Sequence, residues 1–344
     1  LKKYNVGIVG YGWVSTAHIA AINATSHAQV TAVYSSRPQD PAVLSAAHGG
    51  KIAVYDDLAA MLADPTLHAV SICSFPDRHA DQIVAAAKAG KHLIIEKPIT
   101  LTLADAHRVA ASVKAAGVKA CVCFECRYSS QLTTTKGVID SGLLGKLHYG
   151  EVDYYHGIGP WYGQFRWSRT VEGAGSSLLS AGCHALDALI LCMGSPVESV
   201  TSHTTSSSSP DFATYTYPTT SVSVLRFANG ALGKVASVID CHQPYYFRTQ
   251  LVGSEGSLLD RKFHSTKLGV DKKEWSELSM KMLDSGDVSD HPYQAQFQAF
   301  FDALERAESM PLTSLDEAMK SHLAVLAADL SSKENRTVKL SEIS

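Results

Sequence analysis

In the first third of the chain, short apolar runs alternate with Ala-rich segments whose apolar positions recur at helical spacing. Residues 6–9, 30–34, 69–73, 92–95 and 118–124 read as strands, and 17–24, 81–89 and 103–116 as helices. Strands that alternate with helices predict right-handed βαβ units and a parallel sheet covered on both faces. Gly90 sits where a helix should stop, and Pro98 lies just past a strand.

The pattern changes after about Arg127. A helix over 131–140 is followed by segments in which polar and apolar positions alternate: 147–155, 197–205, 221–227, 232–239 and 247–252. The Asn229-Gly230 pair between two of them is a hairpin-turn signal. This half predicts a mainly antiparallel sheet, interrupted by a helix over 182–191, and it ends in amphipathic helices over 293–308 and 315–331. Residues 204–209 form a Ser/Thr-rich connection, and there is no internal repeat. The expected division is a first domain over 1–126 and a second over 127–344.

Composition adds mostly exclusions. With 344 residues, net charge −3, 45% hydrophobic and 18% charged residues, the chain reads as a globular protein able to bury its cores without disulfides. It lacks the basic footprint of a nucleic-acid binder. Its apolar runs fall short of the roughly 20 residues that span a bilayer, and its start has no signal-peptide pattern. The expectation is a cytoplasmic protein with neither nucleic acid nor membrane as partner. Seven cysteines without scaffold-like spacing read as reduced thiols. Cys121, Cys123 and Cys126 are spaced like metal ligands, but they fall on or beside a buried strand with no matching Cys/His group after it. No metal is expected.

Gly7, Gly10 and Gly12 follow the first strand and precede a helix that opens with Trp13 and Val14. Glycine allows the tight turn and lets backbone N–H groups and the helix N-terminus approach a pyrophosphate. Ser15 occupies the place of the third glycine. In a strand–turn–helix context this is the signature of a nicotinamide-dinucleotide site contacted by Gly10, Gly12, Trp13 and Val14. An acid for the ribose 2′-hydroxyl of NAD is expected at the end of the second strand, which instead reads Tyr34-Ser35-Ser36-Arg37. Small hydroxyls followed by arginine leave space and charge for a 2′-phosphate. NADP(H) is therefore favoured, with NAD(H) as the alternative if Arg37 only stacks on adenine.

Residues 56–98 carry further pattern: Asp56-Asp57-Leu58, Leu62-Ala63-Asp64-Pro65, Pro76 followed by His79, and Ala89-Gly90-Lys91-His92 leading to Glu96-Lys97-Pro98. Together with His18, Arg127, Gly182-Cys183-His184-Ala185-Leu186-Asp187 and the stretch beginning His291-Pro292-Tyr293, they resemble the glucose-fructose oxidoreductase / inositol dehydrogenase / MocA family over nearly the whole chain. The resemblance implies an α/β protein: an N-terminal Rossmann dinucleotide-binding domain, then a C-terminal α+β domain with an open, mainly antiparallel sheet. It also implies hydride transfer between nicotinamide and a secondary alcohol or hemiacetal carbon of a sugar, glycoside or cyclitol. Homodimers or homotetramers through the exposed sheet face are usual in the family.

Alcohol oxidation needs a hydride path to the coenzyme and a base for the hydroxyl proton. Lys97 follows the fifth strand at the C-terminal edge of the parallel sheet, where such folds bind ligands; it is the candidate to hold the substrate oxygen. His184, with an ordinary pKa of about 6.5, is the candidate base, and Asp187 either partners it or supports helix packing. Many relatives carry an aspartate four residues before this histidine, where this chain has Ser180. Proton transfer then shifts toward Lys97, or an acid from elsewhere compensates. Glu96 is expected to fix Lys97 or to contact the nicotinamide ribose through its backbone. Ser35, Ser36, Ser74, Phe75 and His79 are expected to line the cofactor crevice, with capping or packing as the alternative for His79. Arg127 is expected to reach cofactor or substrate, or to form an interdomain salt bridge.

Residues 154–168 are rich in aromatics with hydrogen-bonding tips, which suit the apolar faces and hydroxyls of sugar rings. His156, Trp161, Arg166 and Trp167 are the candidate substrate residues, with His242 and Tyr245 behind them; a plain aromatic core or a subunit interface is the alternative. Two other functions stay open: a cofactor-retaining enzyme that cleaves glycosides by transient oxidation and elimination, and a non-catalytic cofactor-binding regulator. Intact Glu96-Lys97-Pro98 and His184 argue against the second.

Overall fold

The computed structural model describes residues 3–269, 271–284 and 291–344. The chain divides into two compact units, Leu1–Glu125 with Pro292–Ala318, and Cys126–His291 with Met319–Ser344.

The first unit is a βα alternation: β1 (Tyr4–Val9), α1 (Trp13–Ala24), β2 (Ala28–Tyr34), α2 (Pro41–His48), β3 (Ala53–Tyr55), α3 (Leu58–Ala63), β4 (Ala69–Ile72), α4 (Pro76–Lys88), β5 (His92–Ile95), α5 (Leu103–Ala116) and β6 (Ala120–Val122). The six strands form one parallel sheet in the order β3-β2-β1-β4-β5-β6. Helices cover both faces, so the central strands are mostly apolar, with Val6, Ile8, Val70, Ile72, Leu93 and Ile94 fully buried. Helix starts are set by side-chain caps: Asp40, Asp57 and Thr102 each accept backbone N–H groups of the following turn. The strand order reverses between β1 and β4, which opens a crevice at the carboxyl ends of the strands. The apolar pattern did not announce α2, β3 and α3. All three are short, and the edge strand β3 has no fully buried residue.

The second unit contains α6 (Ser130–Asp140), β7 (Leu147–Tyr155), α7 (Phe165–Ser168), α8 (Val171–Ala174), α9 (Cys183–Met193), β8 (Val197–Thr205), β9 (Thr220–Phe227), β10 (Leu232–Val238), β11 (Tyr246–Gly253), β12 (Gly256–Leu259), β13 (Lys262–Ser265) and β14 (Ser276–Glu277). Its open sheet, which a last strand β15 (Val338–Lys339) completes, has the order β14-β13-β12-β11-β7-β10-β9-β8-β15. Among the described residues only the β7–β10 pair of this sheet is parallel. Along β9, buried and exposed residues alternate strictly from Ser221 to Phe227, the mark of a sheet covered on one side. The covering helix is α9, which packs so closely that a Cβ on Gly233 would lie 2.7 Å from Leu189 Cδ2. On the other face Lys234 and Arg248 lie against Glu151 and Asp153, near exposed Val222, Val224 and Leu232.

Val171–Met193 is long and apolar enough to cross a membrane by composition, but 83% of its most apolar window is buried inside the protein. It is core, broken at Gly175 and by a π-helical turn at Leu178–Gly182.

The last elements are α10 (Tyr293–Glu305), α11 (Leu315–Glu334) and β15 (Val338–Lys339). Helix α10 belongs to the first unit. Its Phe301 ring lies 5.6 Å from that of Tyr4, and Gln298 accepts the Ser26 N–H at 2.9 Å. The Gln296 amide donates to the Val122 carbonyl at 2.8 Å, and the Thr313 carbonyl accepts the Val122 N–H at 2.9 Å. The return segment thus caps the outer edge of β6, which would otherwise present unpaired backbone groups.

Candidate functional site

The glycine turn joins β1 to α1. Gly10 has φ +93°, donates its N–H to the Tyr34 carbonyl at 2.9 Å, and would place a Cβ 2.8 Å from the Ser74 backbone. Only glycine fits there. Gly12 opens α1, and no atom lies within 4 Å of the position its Cβ would take. The Gly12 N–H donates to Ser15 Oγ at 2.8 Å, and that hydroxyl donates back to the Gly12 carbonyl at 2.7 Å. This capping role accounts for serine in the third-glycine place: buried Ser15 is small enough to pack and also secures the helix start.

Beside the turn lies a cleft of about 260 Å³ lined by Gly10–Gly12, Tyr34–Arg37, Cys73–Phe75, Arg78 and Gln82. It brings together seven predicted cofactor residues: Gly10, Gly12, Ser35, Ser36, Arg37, Ser74 and Phe75. Arg37 is held in place by donating from Nη2 to the Tyr11 carbonyl at 2.9 Å. Ser35 Oγ accepts the Arg37 N–H at 3.1 Å. Among the described residues no carboxylate lines the cleft, while two guanidinium groups do. Open space over a glycine turn together with this cationic lining fits an anionic dinucleotide. Sequence reasoning missed Arg78, whose only signal was its place in the first turn of α4. Trp13 and Val14 open α1 outside the cleft lining.

His79 and Glu96 also lie away from that lining. Both His79 ring nitrogens face backbone carbonyls, of Pro98 at 2.8 Å and of Ser74 at 3.0 Å. Burial pushes its pKa down despite these acceptors. The ring therefore ties the β4 loop to the turn after β5. At that turn the Lys97–Pro98 peptide is cis, Lys97 is half-buried, and its N–H donates to Glu96 Oε2 at 3.0 Å. Glu96 is buried, which by itself would raise its pKa. Hydrogen bonding and charge from His18, with help from Lys97 and Tyr293, outweigh this and bring it to about 2. His18, Glu96 and Cys123 place three potential ligand atoms within 4.8 Å of one another, but the His18 and Glu96 atoms are already joined by a hydrogen bond.

In the second unit His184 lies in the first turn of α9, directly after the π-helical turn. It is buried, with Nδ1 3.6 Å from Cys126 Sγ. Asp187 accepts Arg127 Nε at 2.8 Å and Nη2 at 2.6 Å, and the Ser321 hydroxyl at 2.6 Å. Both carboxylate oxygens are thus occupied. The ion pair that Arg127 makes here lies within the second unit, rather than between domains. Ser180 Oγ donates to the Ser176 carbonyl at 2.8 Å.

The second unit also contains a cavity of about 540 Å³ lined by His156, Gly157, Trp161, Cys241–Tyr245 and Asp284. His156 Nδ1 lies 3.1 Å from the Tyr154 hydroxyl, and its ring meets Tyr162 and Tyr245 edge-on. Trp161 is 58% exposed, donates to the Gly157 carbonyl at 2.9 Å, and lies 5.8 Å from the His242 ring. Two of the predicted substrate residues, His156 and Trp161, therefore share one cavity, and the secondary candidates His242 and Tyr245 join them. Arg166 and Trp167 sit on α7 outside this lining. Arg166 is exposed, and Trp167 Nε1 donates to Gln164 at 2.5 Å.

Comparison with known proteins places these observations. Residues 4–124 match the family model described as an oxidoreductase family with an NAD-binding Rossmann fold, and residues 132–259 match the GFO/IDH/MocA C-terminal domain. The chain is 26% identical over 338 residues to myo-inositol 2-dehydrogenase of Thermotoga maritima, covering 98% of this chain and 99% of the relative. It is 26% identical to D-apiose dehydrogenase of Paraburkholderia graminis, covering 100% of this chain and 91% of the relative. A crystal structure of a probable dehydrogenase from Thermotoga maritima superposes with a TM-score of 0.82 at 25% identity, covering 99% of this chain and all of the other. Two family domains in order, a glycine-turn cleft and an intact Glu96-Lys97-Pro98 turn converge: the chain belongs to the GFO/IDH/MocA oxidoreductase family.

Proposed function

We propose that the protein is an NADP(H)-preferring dehydrogenase or reductase acting on a secondary alcohol or hemiacetal carbon of a sugar or cyclitol. The observation that carries this reading is Lys97, held by Glu96 at the C-terminal end of β5 in the same parallel sheet that carries the glycine turn. The names of the relatives, which include inositol and apiose dehydrogenases, support the substrate class.

The bound nicotinamide supplies the hydride donor or acceptor. The turn Gly10–Gly12 and the start of α1 at Trp13 and Val14 receive the pyrophosphate. Arg37, with Ser35 and Ser36, selects the 2′-phosphate; the absence of any carboxylate among the described lining residues supports NADP(H) over NAD(H). The Lys97 ammonium donates a hydrogen bond to the substrate oxygen and stabilises negative charge as it develops there. His184 accepts the hydroxyl proton, without the aspartate partner that Ser180 replaces. His156 and Trp161 supply a hydrogen-bonding tip and an aromatic platform for the ring.

Exposed Val222, Val224 and Leu232 on the uncovered face of the second sheet support a homo-oligomer assembled through that face. Seven thiols, six of them buried, support a reducing, cytoplasm-like compartment.

The test is a panel of sugars and cyclitols, including myo-inositol and D-apiose, monitored at the nicotinamide absorbance band with NADP+ and NAD+ in parallel. Turnover with NADP+ preferred, abolished in Lys97→Ala, is expected. Sugar release without net change in the dinucleotide would replace the dehydrogenase reading, and equal use of NAD+ would remove the coenzyme preference.

A further inference from the structure

Behind Lys97 the first unit buries a polar cluster around Glu96, of which the proposed reaction gives no role to His18 or Tyr293. Glu96 Oε1 accepts hydrogen bonds from His18 Nε2 at 2.9 Å and from the Tyr293 hydroxyl at 2.8 Å, while Oε2 accepts the Lys97 N–H at 3.0 Å. His18 and Glu96 side chains are 0% and 7% exposed. The far side of His18 is fixed as well: Nδ1 lies 2.8 Å from Ser71 Oγ and 3.3 Å from Cys73 Sγ. Its ring stands 4.5 Å from that of Tyr293 and 5.0 Å from that of Phe297. Helix α1, strands β4 and β5 and helix α10 all contribute.

Removing a carboxylate and an imidazole from water carries a desolvation cost that well-packed apolar residues would avoid. Stability alone is therefore a weak reason for this cluster. Among the described residues the cluster reaches Lys97 through the bond from the Lys97 N–H to Glu96. That bond has a defined direction only while Glu96 stays ionised and in one rotamer, and two donors on its other oxygen, from helices at opposite ends of the chain, enforce both conditions.

We propose that His18 and Tyr293 are positioning residues: they hold Glu96, and Glu96 holds the Lys97 backbone so that its ammonium meets the substrate oxygen. The inference rests on the role given to Lys97 above. Tyr293 is the informative member, because Tyr293→Phe keeps the ring that stacks 5.5 Å from Phe297 and removes only the hydroxyl.

The experiment combines amide hydrogen exchange with steady-state kinetics on the full chain. Lys97 is read residue by residue in NMR-detected exchange, with the Glu96 N–H, which donates to the Ile72 carbonyl at 3.1 Å, as a neighbouring reference in the sheet. In Tyr293→Phe the Lys97 amide is expected to lose about tenfold in protection, as the loss of one hydrogen bond to a charged group implies. Amides of β1 and β4 should keep theirs. The value of kcat should fall by about the same factor, with affinity for 2′,5′-ADP unchanged. Glu96→Gln serves as a second variant, expected to weaken the same amide while keeping the side-chain shape. Unchanged Lys97 protection, or unchanged kcat, overturns the proposal. Loss of protection throughout the sheet also overturns it, because it marks a structural role. If Lys97→Ala keeps full activity, the reading of Lys97 fails instead, and the exchange result stands apart from it.

Discussion

Arg127 and Asp187 form a buried bidentate ion pair, with side chains 5% and 1% exposed and N–O distances of 2.8 and 2.6 Å. Removing either partner strands a charge away from water. Arg127→Ala is therefore expected to destabilise the second unit by about 3–5 kcal/mol and to leave coenzyme affinity unchanged. Urea unfolding and a coenzyme titration on the same preparation check both halves. A large rise in coenzyme Kd with stability intact would move Arg127 to the cofactor.

Coenzyme choice is expected to follow Arg37. Arg37→Ala should weaken 2′,5′-ADP by roughly ten- to a hundredfold, the loss of a charge-assisted contact, and leave 5′-AMP nearly unaffected. Arg78→Ala, at the second arginine that lines the cleft, should weaken both nucleotides, since a general cation does not single out the 2′-phosphate. Calorimetric titration of the two ligands gives the comparison. Parallel losses in both variants would end the assignment of selectivity to Arg37.

Ser180→Asp is expected to return an acid to the turn before His184. A carboxylate near an imidazole favours the charged ring and raises its pKa. Because the base works in its neutral form, the acidic limb of the kcat/KM profile should move to higher pH, by about one unit. A limb that stays in place would mean that Lys97, not His184, controls it.

The His18–Glu96 pair should leave a signature in stability against pH. Burial opposes a charged His18, but Cys73 and Glu96 outweigh it and raise its pKa from 6.5 to about 10. Its contribution is complete below 6.5 and disappears as pH rises through about 10. Glu96 falls from 4.5 to about 2, so its contribution is complete above 4.5 and disappears as pH falls through about 2. The stability difference between the native chain and Glu96→Gln should peak between pH 4.5 and 6.5 and shrink on either side. Thermal unfolding from acid to alkaline pH measures it, and a flat difference would rule out an ionic pair.

Features that depend on neighbours in sequence were readable before the structure. The glycine turn and the βα alternation are set by local periodicity and local backbone needs, whereas Glu96-Lys97-Pro98 stood out only through the family resemblance. Contacts that depend on distant chain were not. Tyr293 meets Glu96 across 197 positions, and Arg127 meets Asp187 across 60; a hydrogen bond between such residues leaves no pattern along the sequence. His79 shows the same limit. The family resemblance pointed it to the crevice, but its ring is taken by the carbonyls of Ser74 and of Pro98, 19 residues on. Arg78 was passed over because an exposed arginine on a helix looks like ordinary solvated surface until the cleft beside it is seen.

The return of 292–318 to the first unit bears on how a nascent chain assembles. At translation rates of about 5–20 residues per second, the stretch between residues 125 and 292 takes roughly ten to thirty seconds to emerge. Throughout that interval the nucleotide-binding sheet is synthesised but lacks the helix that covers Tyr4 and His18 and the segment that pairs with Val122. Apolar surface and an open strand edge then stand exposed on the ribosome, where chaperones are the natural cover. Substitutions that disturb this late segment will also be felt first in coenzyme binding, by residues made long before it.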